Sequence, residues 1–163
     1  MKNFITLCIL LSSITVMAQN GTATTVKKTF NRTTTITQTI NADASVIWGL
    51  LTNGTDIARW NSTIVSFSGN IEVGEKVELV STLDPERTFK LKVKEMVDNE
   101  KLVWGDAMGK RTYTLEKKGD ATLFTMTEKI GSFMFPLFAN KIPSFDESFE
   151  QFTADLKKEA ESK

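Results

Sequence analysis

The sequence predicts an α+β fold: a curved antiparallel β-sheet of about seven strands, two short helices after the first strand, and one long C-terminal helix packed on the concave face. Three observations carry this. Phe89-Lys90-Leu91-Lys92-Val93-Lys94 alternates apolar and basic residues with the period of two of a half-buried strand. Between Ile64 and Ile130 comparable segments are separated by turn-forming residues every ten to fifteen positions, as in an antiparallel meander. Near the end of the chain Phe145, Phe149, Phe152, Leu156 and Ala160 follow at steps of four, three, four and four, which is one unbroken face of a helix.

The chain opens Met1-Lys2-Asn3, runs apolar from Phe4 to Val16, and then presents small residues at Val16 and Ala18. One basic residue, an apolar centre too short to span a bilayer and small residues at the cleavage positions describe a secretory signal peptide over residues 1–18. Export to the periplasm or the exterior is therefore expected, the alternative being an uncleaved anchor or a buried strand. The single cysteine, Cys8, lies in this segment, and the sequence contains no histidine. A mature chain of about 145 residues is left without thiol or imidazole, which excludes disulfides, Cys/His zinc sites, thiol catalysis and histidine-based triads. Neither a metal nor a cofactor is expected. Lys and Arg total 20, as do Asp and Glu, so composition shows no electrostatic footprint for nucleic acid or for an anionic membrane. Sequons stand at Asn20, Asn31, Asn53 and Asn61.

Residues 19–28, polar and rich in Thr and Gly, read as a flexible leader to one domain over 29–163. A Thr- and Ile-rich strand is expected over 29–40, then a short helix over 44–51 with Asp43 as its N-cap and a second short turn from Asp56 to Asn61. The meander's turns are placed at Val73-Gly74-Glu75, Asp84-Pro85-Glu86, Asp98-Asn99-Glu100, Met108-Gly109-Lys110 and Lys118-Gly119-Asp120. Parity points Val65 and Phe67, Val77 and Leu79, Phe89, Leu91 and Val93, Leu102 and Trp104, Tyr113 and Leu115, and Phe124 and Met126 to the interior. Ser144 and Glu147 form a capping-box pattern for the last helix. Acidic Asp146, Glu147 and Glu150 near its start and Lys157 and Lys158 near its end suit the macrodipole. Between them Phe133-Met134-Phe135-Pro136-Leu137-Phe138 is apolar without a period, and reads as a lip at a cavity mouth, a membrane-contacting patch or a packed connection.

Several segments resemble the START-like, helix-grip proteins of the SRPBCC superfamily, the group that includes polyketide cyclase/dehydrase-like members. They are Ala42 to Thr52, Ile57-Ala58-Arg59-Trp60-Asn61, Val73 to Val77, Lys101-Leu102-Val103-Trp104-Gly105, and Ala121 to Glu128 followed by Gly131, in that order over roughly residues 30 to 161. The resemblance implies a cavity between sheet and long helix for a small apolar ligand such as a lipid, sterol or polyketide. Its walls would come from Phe67, Leu79, Phe89, Leu91, Val93, Trp104, Tyr113, Phe124, Met126, Phe133, Phe145, Phe149 and Phe152, with Glu128 and Arg111 as polar contacts.

The plainer alternatives are that the many rings fill the interior and that Glu128 and Arg111 pair at a strand end. A monomeric binding protein is expected, with no nucleic-acid partner and with membrane contact the least favoured use of the 133–138 segment. The sequence leans away from an enzyme; a cyclase/dehydrase-like activity would have to use Glu128, Tyr113 or Asp106 as proton carrier. Relatives that act on cytosolic chaperones are poor guides for a chain expected to leave the cytoplasm.

Overall fold

A computed structural model describes residues 20–163. The expected signal peptide, and Gln19 after it, lie outside the described residues. Eight strands form one antiparallel sheet: β1 (Thr24–Lys28), β2 (Asn31–Ile40), β3 (Ile64–Ser68), β4 (Lys76–Ser81), β5 (Asp84–Val97), β6 (Lys101–Gly105), β7 (Gly109–Lys118) and β8 (Ala121–Gly131). Their spatial order is β1-β2-β8-β7-β6-β5-β4-β3, so the six-strand meander is closed on β8 by the N-terminal hairpin. Helices α1 (Ala44–Thr52) and α2 (Ile57–Trp60) link β2 to β3, and α3 (Asp146–Ala160) follows β8 after two short 3-10 turns.

The C-terminal helix is held by its apolar stripe, as the spacing predicts. Phe149, Phe152, Leu156 and Ala160 are buried, and each buried Phe or Leu contributes about 1.5–3 kcal/mol as an upper estimate. Trp60 of α2 meets Phe152 edge-on at 5.8 Å, and the fully buried Asn61 donates from Nδ2 to the Phe152 carbonyl at 3.1 Å. That burial is incompatible with a glycan at the Asn61 sequon.

The residues expected to form a flexible leader are in part a strand. Thr24 to Lys28 pair with β2, and the Ala23 amide and Thr25 hydroxyl reach Glu150 and Asp146 of α3 at 3.0 and 2.5 Å. A Thr-rich segment that fills an open sheet edge and also bonds a helix satisfies its backbone better than free chain would. The sheet therefore has one strand more than predicted.

Other departures are local. Val65 is exposed because the β3–β4 register shifts between Ile64 and Ser66, and such a bulge turns a side chain off its face. The β4–β5 turn is at Thr82-Leu83, with Pro85 already in the irregularly paired start of β5, where a missing N–H costs nothing. The β6–β7 turn sits at 106–108 because the Asp106 carboxylate accepts from the Met108 and Gly109 amides at 2.7 and 2.8 Å. Helix α3 begins at Asp146, after Phe145, so Ser144 and Glu147 do not form a capping box.

Candidate functional site

Cross-strand pairing lays the inward side chains out in transverse rows, and these rows decide what is cavity and what is core. One row runs Thr34–Glu128–Arg111–Trp104–Val93 across β2, β8, β7, β6 and β5. The next, toward the opposite end of the sheet, runs Ile36–Met126–Tyr113–Leu102. Beyond it lie Phe124 and Leu115, paired and buried. The space under α3 is filled from the Phe124 row up to the Met126 row and opens at the Arg111 row.

A cavity of about 270 Å³ occupies that end, between the sheet, the first half of α3 and the segment linking β8 to α3. Its walls include Leu79, Phe89, Leu91, Trp104 and Met126 from the sheet and Phe145, Phe149 and Phe152 from the helix side. Exposed Leu83 and Met108 on two turns belong to its rim, so it communicates with solvent.

Arg111 and Glu128 both face this cavity. They sit opposite each other in register, and Arg111 Nε donates to Glu128 Oε2 at 2.5 Å. Their side chains are 21% and 13% exposed, so the pair is shielded yet still touches the open space. The guanidinium lies 5.2 Å from the centre of the Phe149 ring, which adds a cation–π contact to the helix. Burial alone would lower the Arg111 pKa; the Glu128 charge and hydrogen bond, with a smaller contribution from Tyr113, leave it raised, so Arg111 is a permanent cation.

The other predicted wall residues lie elsewhere. Tyr113 is a core hub, with ring centroids 5.3 Å from Trp104, 5.9 Å from Phe152 and 6.1 Å from Phe124. Burial pushes its phenol up to about 12; nearby Arg111 opposes this, yet no group stands in hydrogen-bonding geometry to the hydroxyl. Phe67 packs on Trp104 at 5.7 Å and borders a separate void of about 10 Å³, at the limit of one water. Val93 and Phe124 are wholly buried, and Phe133 is 84% exposed, stacked on Phe30 at 6.0 Å rather than turned inward. The resemblance implied a wall position for all five; periodicity marks the face of Phe67, Val93, Tyr113 and Phe124 but not their depth along it, and Phe133 lies in a segment without a period.

Sequence reasoning passed over Arg32. It is 6% exposed, donates to the Ile142 and Pro143 carbonyls at 3.2 and 2.7 Å, and lies 4.6 Å from the Phe145 ring centre. It therefore ties the strap over the cavity to β2. Burial lowers its pKa, against the opposing charges of Asp146 and Glu128. Its parity with Ile36 and Ile40 was a signal that could have found it. Rim residues in the link between β8 and α3, such as Lys141 and Ile142, carry no periodic signal, whereas Arg87 on β5 shares the parity of Phe89 and Leu91.

The comparisons with known proteins agree with this architecture. The model of the activator of Hsp90 ATPase homolog 1-like protein family matches residues 41–161, from the start of α1 to the end of α3. The chain belongs to this family. Among curated proteins none matches it significantly. A START superfamily protein from Mycobacterium smegmatis superposes with a TM-score of 0.60 at 16% identity, over 80% of this chain and 97% of that one. The Aha1 dimer from Colwellia psychrerythraea gives 0.59 at 18% identity, over 78% and 94%. A conserved protein of unknown function from Enterococcus faecalis gives 0.61 at 16%, over 83% and 75%.

At such identities these likenesses show the fold, which is the START-like helix grip. Because the Colwellia protein was solved as a dimer, they lend no support to the expectation of a monomer. Among the described residues no group of three or more His, Cys, Asp or Glu is placed to hold a metal ion, and no helix is long and apolar enough to cross a membrane.

Proposed function

We propose that this protein binds a small hydrophobic molecule in the cavity under the first half of α3, and that it does so outside the cytoplasm. The observation that carries the first part is the void itself: about 270 Å³, walled by Leu79, Leu91, Met126, Phe145 and Phe149, with one ion pair set among them. Apolar walls with few oriented polar groups are the usual makeup of a ligand site, where burial supplies affinity and the polar groups supply orientation. The volume lies just under the common range of roughly 300–1,000 Å³, which favours a single short chain or a compact ring system over a sterol or a two-chain lipid. Arg111 keeps its charge and its remaining N–H donors suit an acceptor oxygen on the ligand. Export is supported by the basic start, apolar run and small residues of positions 1–18.

The groups that an enzyme would use for proton transfer are engaged. Glu128 is held by Arg111, Asp106 accepts two turn amides, and burial raises the Tyr113 phenol pKa to about 12, away from the range of acid/base work near neutral pH. Binding is thus the better-supported use of the site. The test is native mass spectrometry of the natively purified protein, with extraction of any bound molecule, alongside Leu91→Trp, which fills the void. The expected result is an apolar adduct on the parent and none on the filled variant; an empty parent that also takes up no apolar probe refutes it. Determining the N-terminus of the protein from an extracytoplasmic fraction tests the export.

A further inference from the structure

The charge balance of the whole chain hides an uneven surface. At the cavity end of the sheet three chain segments meet: the Phe30 carbonyl accepts from the Ser132 amide at 3.1 Å, and the Met108 carbonyl from the Gly131 amide at 2.9 Å. Large apolar side chains protrude there, with Phe133 84%, Leu137 72%, Met134 53% and Phe30 49% exposed. The same segment turns Phe135 into the protein and Phe138 into the cavity wall, so it is anchored and not a loose tail.

Lysines surround this cluster. Lys27 and Lys28 precede the Phe30 turn, Lys110 and Lys129 are direct cross-strand partners near the ends of β7 and β8, and Lys141 sits on the rim of the cavity. All five are exposed and none makes an ion pair among the described residues. Two lysines directly opposite each other repel, an arrangement that lowers stability and is relieved by an external anion. The carboxylates at this end are turned to internal partners: Asp106 to its turn, Asp146 to Thr25 and Glu128 to Arg111. Glu147 and Glu86 are exposed exceptions, and Asp84 stands on the cavity rim.

The geometry points to this end of the protein as a docking surface for an anionic lipid membrane, with Phe133 and Leu137 entering the interface and the lysines lying over lipid phosphates. Exposed aromatic and aliphatic side chains ringed by unpaired cations match the two attractions such a surface offers, apolar burial and surface charge. A second copy is the weaker occupant, because a two-fold axis through the patch would place lysines against lysines. The docking face borders the cavity mouth through Met108, Phe138 and Lys141, so a membrane-dissolved ligand would enter without crossing water.

The test measures co-sedimentation of the purified protein with vesicles of phosphatidylcholine alone or with about one-third phosphatidylglycerol. Parent and variants carry the same N-terminal residues, so differences between them report on the patch. The parent is expected to prefer the anionic vesicles and to release at high salt. Phe133→Ser/Leu137→Ser should weaken binding about tenfold or more, since two exposed anchors are lost. Lys110→Glu/Lys129→Glu should weaken it about 25-fold or more on anionic vesicles only, at about fivefold per lysine. Near-UV circular dichroism checks that the variants are folded.

A parent that ignores both vesicles, or variants that bind like the parent, overturns the proposal. So does loss of self-association in the Ser variant without any vesicle binding, which would assign the patch to a second copy. Because the four substituted residues are exposed and none lines the cavity, ligand uptake by the variants reports separately on the cavity.

Discussion

Tyr113 is the only tyrosine in the chain, which makes its ionisation a direct probe of the core beneath the cavity. The perturbation is alkaline pH. Burial raises the phenol from 10.0 to about 12, and at about 1.4 kcal/mol per pKa unit this corresponds to roughly 2–3 kcal/mol. Because the folded pKa lies above the unfolded one, stability is fully present below pH 10 and is lost as pH rises from 10 to 12. Tyrosinate absorbance near 295 nm, followed with near-UV circular dichroism and urea midpoints at each pH, should show no ionisation of the native protein at pH 10.5 and a titration that coincides with unfolding. Tyr113→Phe, which also removes a buried hydroxyl without a partner, should be at least as stable as the parent at pH 7 and lose less stability between pH 10 and 12. A reversible titration at pH 10 in a protein that stays folded would refute the packing of Trp104, Phe124 and Phe152 around this ring.

Three further predictions use other parts of the molecule. Glu128→Ala leaves the Arg111 charge shielded and unpaired, and should cost about 2–4 kcal/mol in urea unfolding; the pair Arg111→Met with Glu128→Leu should recover most of it, because two apolar groups need no partner. Glu161 has its pKa lowered: burial would raise it, but the Lys157 and Asn41 contacts win, so its stabilisation is present above the ordinary carboxylate value and is lost as pH falls through the lower folded one. The urea midpoint of Glu161→Gln should accordingly fall less than the parent's between pH 5 and 3. Gly105→Ala would put a methyl 2.1 Å from the Gly109 carbonyl oxygen, and should lower thermal stability by several kcal/mol by prising β6 from β7; a neutral result would show that the strands are not that close.

Most of the fold was legible in the sequence because each element has to present one face to water. Phe89 to Lys94 could be only a strand with its lysines outward, and Phe145 to Ala160 only a helix lying on something apolar. The N-terminal strand was not legible: Thr24 to Lys28 has no apolar alternation, and its order comes from Thr33 to Thr35 and from Asp146 and Glu150, over a hundred residues away. The candidate site was legible by face. Leu79, Leu91, Trp104, Met126, Arg111 and Glu128 share the concave side by parity alone, but Val93, Tyr113 and Phe124 share it too, and parity cannot separate wall from core.

The sequence by itself determined the class of fold and the side of most strands that faces α3, because alternation and the step of three or four residues are local consequences of solvent on one side. Only the tertiary structure decided where the packing stops. The Phe124 and Met126 rows are closed by Tyr113 and Phe152, while the Arg111 row is bridged by an ion pair, capped by Phe149 and left open. It also decided the surface charge. Twenty cations balance twenty anions along the chain, yet folding turns Asp106, Asp146 and Glu128 to internal partners and leaves five exposed lysines without an ion pair at the cavity end, since charge acts through distance in space and not through position in sequence.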